Sequence, residues 1–168
     1  VLANMGTESG LPISCFSGAV RDNMYEIFRK NAEMAMLSKI GGGTAYDFSD
    51  IRPAGANISR GGTSDGILPF IHVFDSTIIA SKQAKVRRGA MAAYLNVDHK
   101  EYLDFLKMRE PLGDVNLQSR NIHHGAIIEN DFMLRLERGD EDAREIWKKT
   151  LMQRVKTGEP YMIFKDHA

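Results

Sequence analysis

Cysteine is almost absent from this chain: of 168 residues, only Cys15 carries a thiol. One thiol cannot close an internal disulfide, which excludes a disulfide-stapled scaffold and favours a reducing, cytoplasmic setting. An excess of either charge is also missing, with 22 basic and 22 acidic residues. Nucleic-acid grooves and anionic membranes recruit positive surfaces, so neither suits as the main partner. No apolar run nears the roughly 18 residues of a membrane span, and no signal-peptide pattern opens the chain. Internal repeats and low-complexity tracts are lacking as well. What is present is globular: 43% apolar and 26% charged residues, in a length that supports one domain with a real core. The chain, starting at Val1 and ending in "YMIFKDHA", is expected to be a piece of a longer polypeptide.

Hydrophobic period and turn residues predict alternating strands and helices. Residues 11–18 read as an extended segment. Asp22 is the expected N-cap of a helix in which Met24, Ile27, Phe28, Asn31, Met34 and Ala35 recur at helical spacing. Gly41-Gly42-Gly43 ends it, and "TAYDF" (44–48) reads as a strand. Residues 51–66 are too rich in Gly, Ser, Asn and Pro to be regular. A helix over 66–81 has Pro69 in its first turn, where a missing N–H does no harm. A polar loop (81–89) leads to the strand "AMAAYLNV" (90–97). Asp98 and Glu101 then form a capping-box-like start to a helix through about Arg109. A strand at 125–130, helices at 131–138 and 141–157 closed by Gly139 and Gly158, and the strand "YMIF" (161–164) complete the pattern. In the last helix Ile146, Trp147 and Leu151 are expected to turn inward. Such alternation implies an α/β fold with a largely parallel sheet, whose ligands gather on loops at strand ends. The loops 52–65 and 81–89 are therefore the places to look for binding.

Several residues could carry chemistry. A lone cysteine in an apolar segment is most often a small buried hydrophobe, and a redox role for Cys15 would need a second thiol. Ser14 beside it could hydrogen-bond a ligand or its own backbone. The triple glycine exceeds what a helix stop requires and suggests close backbone approach, yet no Lys-Ser or Lys-Thr follows it, as a Walker-type loop would need. Asp22, Arg52, Ser59, Arg60, Lys85, Arg87 and Arg88 are either solvated charge or a phosphate site built from arginine forks. His123-His124 with Glu129, and Asp98-His99 with Glu101, match no trusted metal-ligand spacing, and adjacent histidines on a strand point to opposite faces.

Taken together, "ISC" (13–15), Asp22 ahead of a helix, "SKIGGGTAYDFSDIRPAGANIS" (38–59), "GGTSDGILPFIHVFDSTIIASKQ" (61–83), "RRGAMAAYLNVDHKEYLDFL" (87–106) and "TGEPYMIFKDH" (157–167) resemble one family. That family is the large, catalytic subunit of class I ribonucleotide reductases. The ordered set spans almost all of the chain. The resemblance implies an α/β fold: half of a ten-stranded barrel, about five largely parallel strands with connecting helices, all 168 residues forming a single partial domain with both effector-specificity loops. It also implies thiyl-radical reduction of ribonucleotides to deoxyribonucleotides by a ribonucleoside-diphosphate reductase.

Carried over by resemblance, Cys15 is one member of the reducing cysteine pair. Ser14, Cys15, Gly42 and Gly43 contact substrate. Asp22, Asn23, Met24, Arg52, Ile58, Ser59 and Arg60 hold the effector nucleotide, and Gln83, Lys85, Arg87 and Arg88 belong to the loop linking effector to substrate choice. That loop carries Ala84-Lys85 where the family usually has paired glycines. No cofactor or metal is expected within this segment. The radical would come from a metal-containing small subunit, the effectors would be dNTP or ATP, and thioredoxin or glutaredoxin would be the reductant. The remainder of the large subunit would supply the radical cysteine on an Asn-x-Cys-x-Glu motif, and a homodimer is implied through the helix after Asp22. Two rival readings are a non-catalytic nucleotide-binding or assembly module and the adenosylcobalamin-dependent class of reductase.

Overall fold

The computed structural model describes residues 5–6, 8, 12–59, 61–81, 89–111 and 114–168. Five strands, β1 (Cys15–Ala19), β2 (Gly43–Asp47), β3 (Ala90–Asn96), β4 (His123–Ile128) and β5 (Tyr161–Phe164), form one sheet in sequential order with every pair parallel. Helix α1 (Met24–Lys39) joins β1 to β2 and α2 (Leu68–Ala80) joins β2 to β3. The short α3 (Tyr102–Phe105) with a 3-10 turn (Val115–Leu117) leads to β4, and α4 (Asn130–Arg138) and α5 (Glu141–Thr157) lead to β5. This is the parallel α/β half-barrel that the sequence reading anticipated.

Sequential order has a geometric consequence. Crossovers between parallel neighbours share one hand, so the connecting helices fall on one face of the sheet and leave the other uncovered. Burial follows that rule. On the helix side Tyr46, Met91, Ala93, Leu95, His124, Ala126 and Ile128 are buried, while Ala45, Asp47, Ala92, Tyr94 and Asn96 between them stay partly open. The core gathers under α2, where Phe74 meets Phe48 edge-on at 5.2 Å and Tyr46 at 6.0 Å. The Tyr46 hydroxyl donates to Glu33 Oε1 at 3.1 Å, and burial together with that carboxylate pushes its pKa upward. The Tyr102 hydroxyl, 3.0 Å from Thr150 Oγ1, is pushed up to about 12 by burial. Asp75, buried on α2, accepts the Asn121 and Ile122 backbone N–H groups at 2.7 and 3.1 Å and so seats the start of β4.

The structure corrects three local expectations and divides one predicted stripe. Asn23, not Asp22, caps α1: its side chain accepts from the Glu26 N–H at 2.9 Å, while Asp22 is drawn to an arginine described below. On α1 only Ile27, Met34 and Ser38 are buried. Met24 and Phe28 lie on a second apolar stripe that the sheet does not reach, because one helix can offer only one face to it. Asp98 and Glu101 make no capping box. Asp98 pairs with Arg135, and α3 runs only from Tyr102 to Phe105 before turns carry the chain to Arg109. On α5 Ile146 and Trp147 pack on the core, but Leu151 is turned to the edge and the buried residues are Ala143, Thr150 and Gln153.

Phe74→Ala is expected to lower unfolding stability by about 3–5 kcal/mol, as for other large aromatic deletions in a tight core. Urea denaturation followed by far-UV circular dichroism measures it, and a loss under about 1 kcal/mol would place Phe74 outside the core.

Candidate functional site

Cys15 opens β1 on the helix-free face of the sheet. Its free thiol is exposed, with Sγ 3.8 Å from Ser14 Oγ, whereas Ser14 itself is buried. Parallel pairing sets Cys15 beside Gly43, and Gly43 beside Ala90. Ser17, Ala45 and Ala92 form the next row on the same face. The thiol is therefore bordered by small residues and bare backbone.

The two glycines beside it differ in what surrounds them. A Cβ on Gly42 would lie 2.9 Å from both Leu37 O and the Phe16 ring, so packing alone excludes a larger residue. A Cβ on Gly43 would meet nothing closer than 3.6 Å, so the fold itself tolerates one. Its absence leaves backbone open beside the thiol, where a ligand can approach closely. The Gly43 N–H is not free for such a ligand, since it donates to Ser14 O at 2.8 Å.

At the other end of β1 and β2 the second group of expected residues assembles. Arg52 Nε donates to Asp22 Oδ2 at 2.6 Å, and its Nη1 donates to Asn57 O at 2.8 Å. Residues 55–57 pair with 63–64. Gly55 N donates to Ser64 O, Ser64 N to Ala56 O, both at 2.8 Å, and Asn57 bridges Thr63. Ile58 and Ser59 are exposed at the tip, and Met24 is exposed at the start of α1. The structure thus brings Asp22, Asn23, Met24 and Arg52 to one end of the sheet, with Ile58 and Ser59 on the hairpin that follows. Arg60, Gln83, Lys85, Arg87 and Arg88 lie outside the described residues.

The two loops named from the sequence attach at different strand ends. Residues 52–65 follow the carboxyl end of β2, whereas 81–89 precede the amino end of β3, the end that holds Cys15 and Gly43. Between them stands α2, 13 residues long and so about 20 Å. A crossover helix always returns the chain to the opposite end of a parallel sheet.

The histidine groupings weighed for metal are partnered otherwise. His123 and His124 do point to opposite faces, but they share Glu159 rather than Glu129, which pairs with Lys165. Glu159 is nearly buried, contacts Arg109 and His123, and lies 2.9 Å from His124 Nδ1. Burial pushes this carboxyl upward, yet the contacts from His124, His123 and Arg109 outweigh it and hold the group well below the usual carboxylate range. Asp98 is taken by Arg135, and His99 and Glu101 bond to backbone around residues 51–67. Sequence reasoning missed the roles of Arg109, Glu101 and Glu159. Their partners are 14 to 50 residues away, so no local spacing signals them.

Comparison with known proteins gives a consistent likeness. The family model for the ribonucleotide reductase barrel domain matches residues 13–142. A Frog virus 3 (isolate Goorha) protein, provisionally named a ribonucleoside-diphosphate reductase large subunit, is 40% identical over 177 residues, covering 96% of this chain and 30% of that protein. The ribonucleoside-diphosphate reductase subunit alpha of Chlamydia trachomatis serovar D is 31% identical over 208 residues, covering 98% of this chain and 20% of its own length. Among solved structures, the Actinobacillus ureae class Id ribonucleotide reductase alpha subunit superposes with a TM-score of 0.82 at 35% identity, over 97% of this chain and 29% of that one. The chain spans less than a third of the length of these relatives.

The Glu159 cluster makes a prediction about pH. The folded state holds this carboxylate ionised more firmly than the unfolded chain does. Its contribution is therefore complete above the ordinary carboxyl pKa and is lost as pH falls below it. Glu159→Gln is expected to flatten the fall in the urea midpoint between about pH 5 and pH 3. An unchanged slope in the variant would show that the cluster does not couple to folding.

Proposed function

Because this chain belongs to the ribonucleotide reductase barrel-domain family, we propose that it forms part of the catalytic large subunit of a ribonucleoside-diphosphate reductase. Its place is the first half of the barrel. The observation that carries this reading is the exposed Cys15 thiol on the helix-free face, beside the open backbone of Gly43. In a closed barrel that face looks inward, so the thiol would stand where a substrate sugar is held.

Cys15 serves as one member of a reducing dithiol whose partner lies outside these residues. Two thiols closing to a disulfide release two protons and two electrons. Replacing the 2′ hydroxyl of a ribose with hydrogen consumes both pairs and yields one water, so the exchange balances. A thiyl radical on the remainder of the large subunit would activate the sugar at its 3′ position, generated with a metal-containing small subunit. Thioredoxin or glutaredoxin would reopen the disulfide. Ser14, Gly42 and Gly43 border the same place and contact substrate.

Asp22, Asn23, Met24, Arg52, Ile58, Ser59 and Arg60 form the effector site for dNTP or ATP, with Gln83, Lys85, Arg87 and Arg88 on the loop that relays effector identity to the substrate end. An effector that favours one arrangement of that loop shifts which substrate base is accepted. The stripe of Tyr25, Phe28 and Met36 on α1, with Ile79 of α2, leaves large apolar side chains exposed. It supplies the contact of a homodimer. No helix among the described residues is long and apolar enough to cross a membrane, and the cytoplasm, where thiols stay reduced, is the setting this chemistry requires. The rival reading is a nucleotide-binding module without chemistry.

Two experiments test the proposal in the full-length polypeptide that carries these residues. Cys15→Ser is expected to abolish thioredoxin-dependent turnover while leaving dTTP binding by calorimetry unchanged. Turnover that survives the substitution would favour the module without chemistry. Phe28→Asp is expected to shift the protein from dimer to monomer in sedimentation velocity, and an unchanged dimer would remove α1 from the contact.

A further inference from the structure

The loop 52–65 is held to the rest of the fold by few bonds. Among the described residues, the hydrogen bonds joining its ends to other elements come from Asp22 and from one short segment after β3. That segment is His99 to Glu101. Glu101 Oε2 accepts the Ala54 N–H at 3.2 Å, just inside the loop, and the Ile67 N–H at 3.1 Å, just past its end. One oxygen thus closes both sides of the loop. His99 Nε2 lies 2.9 Å from Ile51 O, and its Nδ1 accepts the Glu101 N–H at 3.2 Å. Only a neutral ring with its proton on Nε2 satisfies both bonds.

Gly66 provides the room. It has φ +84°, and a Cβ there would lie 2.1 Å from Glu101 Oε1 and 2.5 Å from Oε2. No side chain fits without moving the carboxylate. The hairpin beyond the latch bonds chiefly to itself, so its placement depends on the base. Ile67 also caps α2, the rod whose far end leads into residues 81–89. The carboxylate therefore sets the origin of that rod as well as the position of the loop.

We propose that Glu101 and His99 are positioning residues for nucleotide effector recognition, latching the loop 52–65 in its binding-competent shape through the Ala54 and Ile67 backbone N–H groups. This rests on the reading of that loop as the effector loop. A loop already held in its bound form spends less of its binding energy on ordering, so releasing the latch weakens the effector without removing any residue that touches it. A carboxylate accepting two N–H bonds is a strong tie, and a neutral amide in its place is a weaker one.

The test uses the full-length polypeptide and dTTP as probe. Glu101→Ala is expected to speed amide exchange across 52–67 by about tenfold and to weaken dTTP binding by about tenfold. Protection of α1, β3 and α5 should be unchanged. Glu101→Gln, which keeps an acceptor, should restore most of both losses, and Gly66→Ala carries the same test if the alanine variant does not fold. Gly66→Ala should reproduce the alanine phenotype by displacing the carboxylate. Unchanged exchange across 52–67, or a loss of protection spread evenly over the chain, would overturn the latch. If exchange rises locally but the unsubstituted protein binds no dTTP, the effector reading falls and the latch stands as a purely structural device.

Discussion

Everything in this molecule follows from a parallel sheet whose strands lie in the order in which they are made. Same-handed crossovers then put the connecting helices on one face, and among the described residues no element covers the opposite one. A soluble α/β protein ordinarily buries both faces of a parallel sheet. This sheet reads as half of a larger enclosure for that reason. The same constraint explains its side chains: large apolar groups such as Tyr46, Met91 and Leu95 on the covered side, and Gly43, Ala45, Ala90 and Ala92 around the thiol on the other.

The constraint also divides the chemistry. Each crossover carries the chain from the carboxyl end of one strand to the amino end of the next. Cys15 and Gly43 therefore stand at one end, and Asp22 and Arg52 at the other. The length of the sheet separates these two ends. Helix α2 spans that length, since it leaves the carboxyl end of β2 and leads to the amino end of β3. Its packing is stiff: Ile71, Phe74 and Ile78 are fully buried, and Asp75 is bonded to the chain ahead of β4.

Three carboxylates tie irregular segments to this frame. Asp75 holds the start of β4, Glu101 holds the loop after β2, and Glu159 gathers Arg109, His123 and His124 at the amino ends of β4 and β5. Each accepts several donors from segments that are distant in sequence. Such groups are stable when buried because their lone pairs are filled, and they fix the position of a loop more sharply than apolar packing can.

The amino-acid order alone determined the strand and helix succession, closely enough that α5 and β5 fall where Gly139, Gly158 and "YMIF" indicate. Caps, glycines and period are local signals, and local energetics decides them. The ordered motifs around Cys15, Gly42 and Arg52 carry the family resemblance by themselves. Only the tertiary structure decided that Asn23 rather than Asp22 caps α1, because Arg52, thirty residues on, competes for the aspartate. It likewise decided that Leu151 and Phe28 are left outside the core, that the His123-His124 pair serves Glu159, and that His99 serves a loop base. Those outcomes depend on which groups meet across the sheet, and a meeting of distant residues leaves no periodic trace along the chain.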